Sequence, residues 1–146
     1  MLISGQENDH ERLEIADPGF FASDDVHVIK KGQATGITRG VYGGFFMSEK
    51  VDFKPFSTES FFIFENCYRI LDKDGQFFDE GDSGSGVFLI DKKDSNVKAL
   101  GIAFARSLYQ CATLVCKVNH IAERFQLSII KDDFSRRVAE NINDYI

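Results

Sequence analysis

Short runs rich in Val, Ile and Phe, each closed by a turn-forming residue, constrain this chain more than any other feature of its sequence. β-Branched and aromatic residues favour extended backbone, and Gly, Pro, Asp and Asn between them break it, which is the pattern of an antiparallel β domain. Six runs are read as strands. They are 26–30, 36–46 after a turn containing Gly32, 61–70 after a loop containing Pro55, 86–91, 99–105 and 112–118, with KKDSN joining the fourth to the fifth as a hairpin. Six short strands at this spacing suit a small closed barrel, which leaves few free edges. Helix is expected only at the end. Asn119 reads as an N-cap, with Ile121, Ala122, Phe125 and Ile129 at helical spacing after it. A second helix is expected over 133–145, where Phe134, Val138 and Ile142 form one apolar stripe that must be buried against this barrel or a neighbour. The fold class is therefore all-β, an antiparallel six-stranded barrel with C-terminal helices.

At 146 residues the chain suits one domain, or one half of a two-domain protein. No apolar run approaches the roughly 18 residues a bilayer span needs, and the first residues carry neither a basic start nor a long apolar stretch, so no secretory signal is expected. The net charge of −6 is concentrated in 1–25, where seven acids face Arg12 alone. That segment reads as a solvated acidic leader or an inter-domain connection. With no basic stripe to neutralise phosphates, neither nucleic acid nor an anionic membrane is expected as a partner. Cys67, Cys111 and Cys116 are an odd count in apolar, strand-like contexts. On an extended strand Cys111 and Cys116 would face opposite sides, which suits neither a shared metal nor a mutual disulfide, so an intracellular, cytoplasmic setting is the expectation. DKDG and the acids after it fail the calcium-loop spacing because Gly75 comes too early. No metal or cofactor is expected.

The segment FFDEGDSGSGVFLI (77–90) carries the chemistry. Gly81 and Gly84 flank Ser83 and permit a tight turn that offers a hydroxyl beside backbone N–H donors for a developing oxyanion. A flexible β-turn is the alternative for a generic Gly/Ser loop. Here the match extends further. GDSGS followed by an apolar strand, a hairpin and LGIAFA resembles the nucleophile region of chymotrypsin/trypsin-like serine endopeptidases. KKGQATGITRGVY (30–42) is similar to the opening hairpin of that family's second barrel, and the helix after CKVNHIAERF to its terminal helix. The resemblance covers about residues 26–130, leaving 131–146 as a C-terminal helical tail. It implies the chymotrypsin-like Greek-key barrel, with Ser83 as nucleophile, the N–H groups of Gly81 and Ser83 as oxyanion hole, and Asp82 orienting the loop. The position six before the nucleophile, the base of the specificity pocket, is Phe77, so the acid that selects Lys or Arg substrates is missing. The strand 100–106 lines that pocket in the resemblance, through Ala103, Phe104, Ala105 and Arg106; Arg106 is either a selector of acidic side chains or a solvated rim residue.

The departures are as informative. The motif ends GDSGSG, with Ser85 and Gly86. Activating Ser83 needs a His within hydrogen-bond reach and an acid that orients it, and in this family both come from a first barrel. His10 lies in a polar acidic stretch, His27 in the first strand and His120 after the presumed cap of the last helix. None fits the base. The chain is therefore expected to be the nucleophile-bearing half of a serine endopeptidase acting on protein or peptide substrates, with His and Asp supplied by an upstream barrel or a second chain. The alternative is a catalytically silent, protease-derived protein-binding module. With the other half missing, the face around Ser83, Phe77 and 100–106 is expected as an exposed apolar patch, covered by an upstream domain, the leader or, in a homodimer, a second copy.

Overall fold

The Val/Ile/Phe runs pair as antiparallel strands and close on themselves. The computed structural model describes residues 1–4, 11–19, 24–52, 61–107 and 111–146, with the backbone alone at 4, 45–52 and 61–65. In chain order the elements are β1 (Leu2–Ser4), β2 (Arg12–Leu13), β3 (Val26–Gly32), β4 (Gly36–Asp52), β5 (Phe61–Asp72), β6 (Gly86–Asp91), β7 (Asn96–Ser107), β8 (Ala112–Lys117), α1 (Asn119–Phe125), β9 (Ser128–Ile130), α2 (Asp133–Glu140) and α3 (Ile142–Tyr145). The barrel order is β3–β4–β5–β8–β7–β6, closed by antiparallel pairing of β6 with β3. These are the six expected strands, and β4 and β5 run longer because each extends the other's ladder out to Asp52 opposite Phe61.

This order positions the site. β5 and β6 follow one another in the chain but are not neighbours in the barrel. The connection 73–85 must cross the barrel end, where β3 turns into β4.

β6 shows why its apolar run is continuous rather than alternating. Val87 and Leu89 point into the barrel with Val28, Tyr42, Tyr68, Ile70, Leu100 and Val115. Phe88 and Ile90 point outward into a second cluster with Leu13, Ile29, Ile129, Phe134 and Val138. A strand buried on both faces has no polar positions to alternate with. The apolar stripe of α2 is thus buried against this barrel. Asp132 caps α2 by accepting from the Ser135 N–H at 2.8 Å, and the Ser135 hydroxyl accepts from the Asp132 N–H.

Three local expectations are corrected. The leader is not wholly solvated. Leu13 and Ala16 are buried, Ala16 N–H donates to the Ala99 carbonyl while Ala99 N–H donates to the Glu14 carbonyl, and β1 and β2 both pair with β9. The apolar residues among its acids supply the contact. The first helix stops at Phe125, because Gln126 takes a left-handed conformation (φ 52°), and Ile129 lies on β9 instead. Val118 rather than Asn119 occupies the N-cap position of that helix, and only Ala122 of it is buried. The second helix breaks at Asn141 into α2 and α3.

Candidate functional site

The 79–85 turn is held by an unusual division of its amides. Asp79 N–H donates to Asp82 Oδ2 at 3.1 Å and Glu80 N–H to Asp79 Oδ1 at 2.8 Å. Asp82 N–H donates to the Asp79 carbonyl, Gly84 N–H to the Ala103 carbonyl at 2.8 Å and Ser85 N–H to the Asp82 carbonyl. Among the described residues the amides of Gly81 and Ser83 have no acceptor. Gly81 and Gly84 have φ of 97° and 90°, which L side chains rarely adopt, so both positions need glycine. Ser83 is exposed, and its hydroxyl donates to the Phe104 carbonyl at 3.3 Å. The turn is tied to β7 on both sides of Ser85, whose carbonyl accepts from Ala103 N–H at 2.9 Å.

Asp82 anchors this turn from beneath. Its side chain is fully buried, and Oδ1 accepts from the N–H groups of Ala34 (2.8 Å) and Thr35 (3.2 Å) in the β3–β4 hairpin. Oδ2 accepts from the Thr35 hydroxyl at 2.6 Å and the Lys30 ammonium at 3.2 Å, besides Asp79 N–H. Gly32 is required here by close approach, since a β-carbon on it would collide with the Asp82 carboxylate. Burial alone would raise the Asp82 pKa, but the Thr35 hydroxyl and the three amides outweigh it and hold the carboxyl well below the usual range. Lys30 responds the other way. Burial lowers the pKa of its ammonium more than Asp82 restores it. Asp82 keeps four donors without Lys30, so the carboxylate is the anchored member of the pair.

Phe77 lies at the same barrel end. It is fully buried; its carbonyl accepts from the Thr38 hydroxyl at 2.7 Å, its N–H donates to Asp72 Oδ1 at 3.0 Å, and the Lys30 ammonium sits 5.2 Å from its ring centre. Arg106 is neither a solvated rim residue nor a free cation. It makes a two-pronged pair with Asp72, at 2.9 and 2.6 Å, which lowers the Asp72 pKa and raises its own. Thr113, opposite Arg106 on β8, is fully buried, and its hydroxyl has no partner among the described residues.

Of the expected exposed apolar face, Ile102 and Phe104 are half-buried and the rest of its apolar side chains are buried. Phe77, Leu100 and Ala103 are fully buried and Ala105 is 9% exposed. Phe77 folds under the barrel end, Leu100 and Ala103 point into the barrel, and a bulge at Phe104 shifts the register of β7. Seven of the ten phenylalanines between Phe45 and Phe88 have side chains outside the described residues, as does His10. His27, on β3 opposite Ile90, has its pKa lowered by burial and by Lys73, Lys92 and Arg39. His120 is exposed on α1. Neither hydrogen-bonds Ser83.

Lys30, Thr35 and Asp72 had no role in the sequence reading. Alternation from Val28 places Lys30 on the inner face of β3, and that parity was the one available signal.

The sequence matches no protein-family model and no curated protein. The structure is similar to a glutamic-acid-specific serine protease described as using a novel histidine triad in substrate binding, with a TM-score of 0.51 and 17% identity over 82% of this chain and 54% of that one. It is also similar to Cellulomonas bogoriensis chymotrypsin, with a TM-score of 0.44 and 20% identity over 88% of this chain and 63% of that one. This chain therefore spans about half the length of the first protease. The first likeness shows the fold: a chymotrypsin-like six-stranded antiparallel barrel with short C-terminal helices.

Proposed function

We propose that this barrel is the nucleophile-bearing half of a serine endopeptidase, completed by a His and an acid from a second barrel, upstream in the same protein or in a partner chain. The supporting observation is the alternation of spent and unspent amides: the N–H groups at 79, 80, 82, 84 and 85 are committed within the turn or to β7, while those of Gly81 and Ser83 have no acceptor among the described residues. Donors held ready where charge develops cost no reorganisation during reaction. With a base in place, Ser83 Oγ loses its proton to the imidazole and attacks the scissile carbonyl carbon. The carbonyl oxygen takes the negative charge and accepts from the two amides. Collapse expels the amine, which takes the proton back, and water then hydrolyses the acyl-enzyme by the same route. Because Arg106 is paired with Asp72 and Lys30 with Asp82, neither cation is free to select an acidic substrate side chain.

The second reading is a silent binding module, and the observation favouring it is that neither described histidine reaches Ser83. A fluorophosphonate probe separates the two. The chain alone should label slowly at Ser83, because the oxyanion donors and binding alone retain only about 10³–10⁴-fold over water. Added imidazole should accelerate labelling, and Ser83→Ala should abolish it. Prompt labelling without imidazole would place a base within this chain and overturn the two-half account. A folded chain that imidazole fails to activate would favour the binding module.

A further inference from the structure

Two of the three cysteines, 49 positions apart in the chain, lie on neighbouring strands of the barrel. Cys67 is on β5 and Cys116 on β8, which pair antiparallel with Tyr68 opposite Val115. One step beyond the cysteines, the Lys117 ammonium donates to Asn66 Oδ1 at 2.9 Å. The paired register ends at Tyr68 opposite Val115, and Asn66 turns out of the extended conformation (φ 60°); continuing the register by one step sets Cys67 against Cys116, and the Lys117–Asn66 hydrogen bond keeps the strands close there. Tyr68 and Val115 belong to the inner core, so by alternation Cys67 and Cys116 both project from the outer face. Residues directly opposite on antiparallel strands have Cα atoms about 4.5–5.5 Å apart, inside the roughly 4.4–6.8 Å range that a disulfide spans. Cys116 is exposed and Cys67 is 5% exposed, so one thiol meets solvent and the other lies beneath it. Cys111, in the turn before β8 with a left-handed φ of 49°, is outside this register.

We propose that Cys67 and Cys116 form a dithiol modification site that a small-molecule disulfide of the glutathione class converts to a cross-strand disulfide. The Cys116 thiolate attacks one sulfur of glutathione disulfide and displaces a glutathione thiolate, which takes up the proton that Cys116 released. Cys67, losing its own proton, then attacks the Cys116 sulfur of the mixed disulfide and displaces the second glutathione, which is protonated in turn. Two protein thiols are oxidised to one disulfide, and one glutathione disulfide is reduced to two glutathione thiols. The bond would staple β5 to β8 and close a loop that contains the whole Ser83 turn.

The test is incubation of the full chain with glutathione disulfide at mildly alkaline pH, where thiols ionise to the attacking thiolate. Intact mass and unreduced peptide mapping provide the readout. Cys111→Ser should lose about 2 Da through one intramolecular disulfide, yield a peptide joining 67 to 116, and unfold at a higher temperature than the reduced chain; wild type should form the same disulfide, with glutathione added only at the exposed Cys111. Cys67→Ser made together with Cys111→Ser should instead stop with one glutathione held on Cys116. A disulfide through Cys111, a lasting glutathione adduct on wild-type Cys116, or thiols at 67 and 116 that stay reduced would each overturn the proposal.

Discussion

Outside the barrel wall, Phe88, Ile90, Phe134 and Val138 fit against one another as apolar surfaces, with the rings of Phe88 and Phe134 edge to face at 6.0 Å. At the barrel end below Ser83, a buried ammonium–carboxylate pair (Lys30–Asp82) and a half-buried guanidinium–carboxylate pair (Arg106–Asp72) are linked through Phe77 instead. The two regions answer to different physics. Apolar packing stabilises in proportion to the area and volume it fills, and it degrades gradually when a side chain shrinks. A buried charged cluster adds little net stability when complete but is costly when one member is lost. The first region holds the domain together. The second selects one conformation of one turn.

That contrast is broken or sharpened most strongly at Asp82. Asp82→Ala leaves the Lys30 ammonium buried without its carboxylate and should cost about 3–5 kcal/mol in chemical denaturation. Lys30→Met should cost clearly less, because the carboxylate keeps the Thr35 hydroxyl and three amides. Equal losses for the two would refute the assignment of Asp82 as the anchored member. Phe134→Ala should cost about 3 kcal/mol by opening a cavity between α2 and β6, yet leave amide protection across 79–85 unchanged. If protection there fell as well, the two regions would be a single cooperative unit.

The smallest effect is on pH dependence. Asp82 and Asp72 both have folded-state pKa values below those of the unfolded chain, so they bind protons more readily when unfolded. Their contribution is fully present above the ordinary carboxylate pKa of about 4 and is lost as pH falls through the folded-state values below it. Acid titration of stability should therefore be steeper below about pH 4 in wild type than in Asp82→Ala. Matching slopes would contradict the depressed Asp82 pKa.

The sequence made the two regions unequally visible. The run Val87–Ile90, the strand spacing and the stripe of Phe134 and Val138 were readable because apolar burial follows local periodicity. The charged end was not, because its partners are far apart in the chain: Lys30 lies 52 positions before Asp82, and Asp72 lies 34 before Arg106. Asp72 reads locally as part of a turn, and Arg106 as an exposed strand end. Only the closed barrel, by carrying 73–85 across its end, gives each its partner. GDSGS marked the turn itself, since glycines at left-handed positions leave a local signature, but which amides stay unspent depends on β7, around twenty residues further on.

The central claim is that the turn keeps two specific amides unspent while committing their neighbours. Residue-by-residue amide hydrogen exchange across 79–85 tests it directly. The account predicts protection at 82, 84 and 85 and near-unprotected exchange at Gly81 and Ser83, an alternation that Asp82→Ala erases. Uniform exchange along the turn, or protection at 81 and 83, would contradict it.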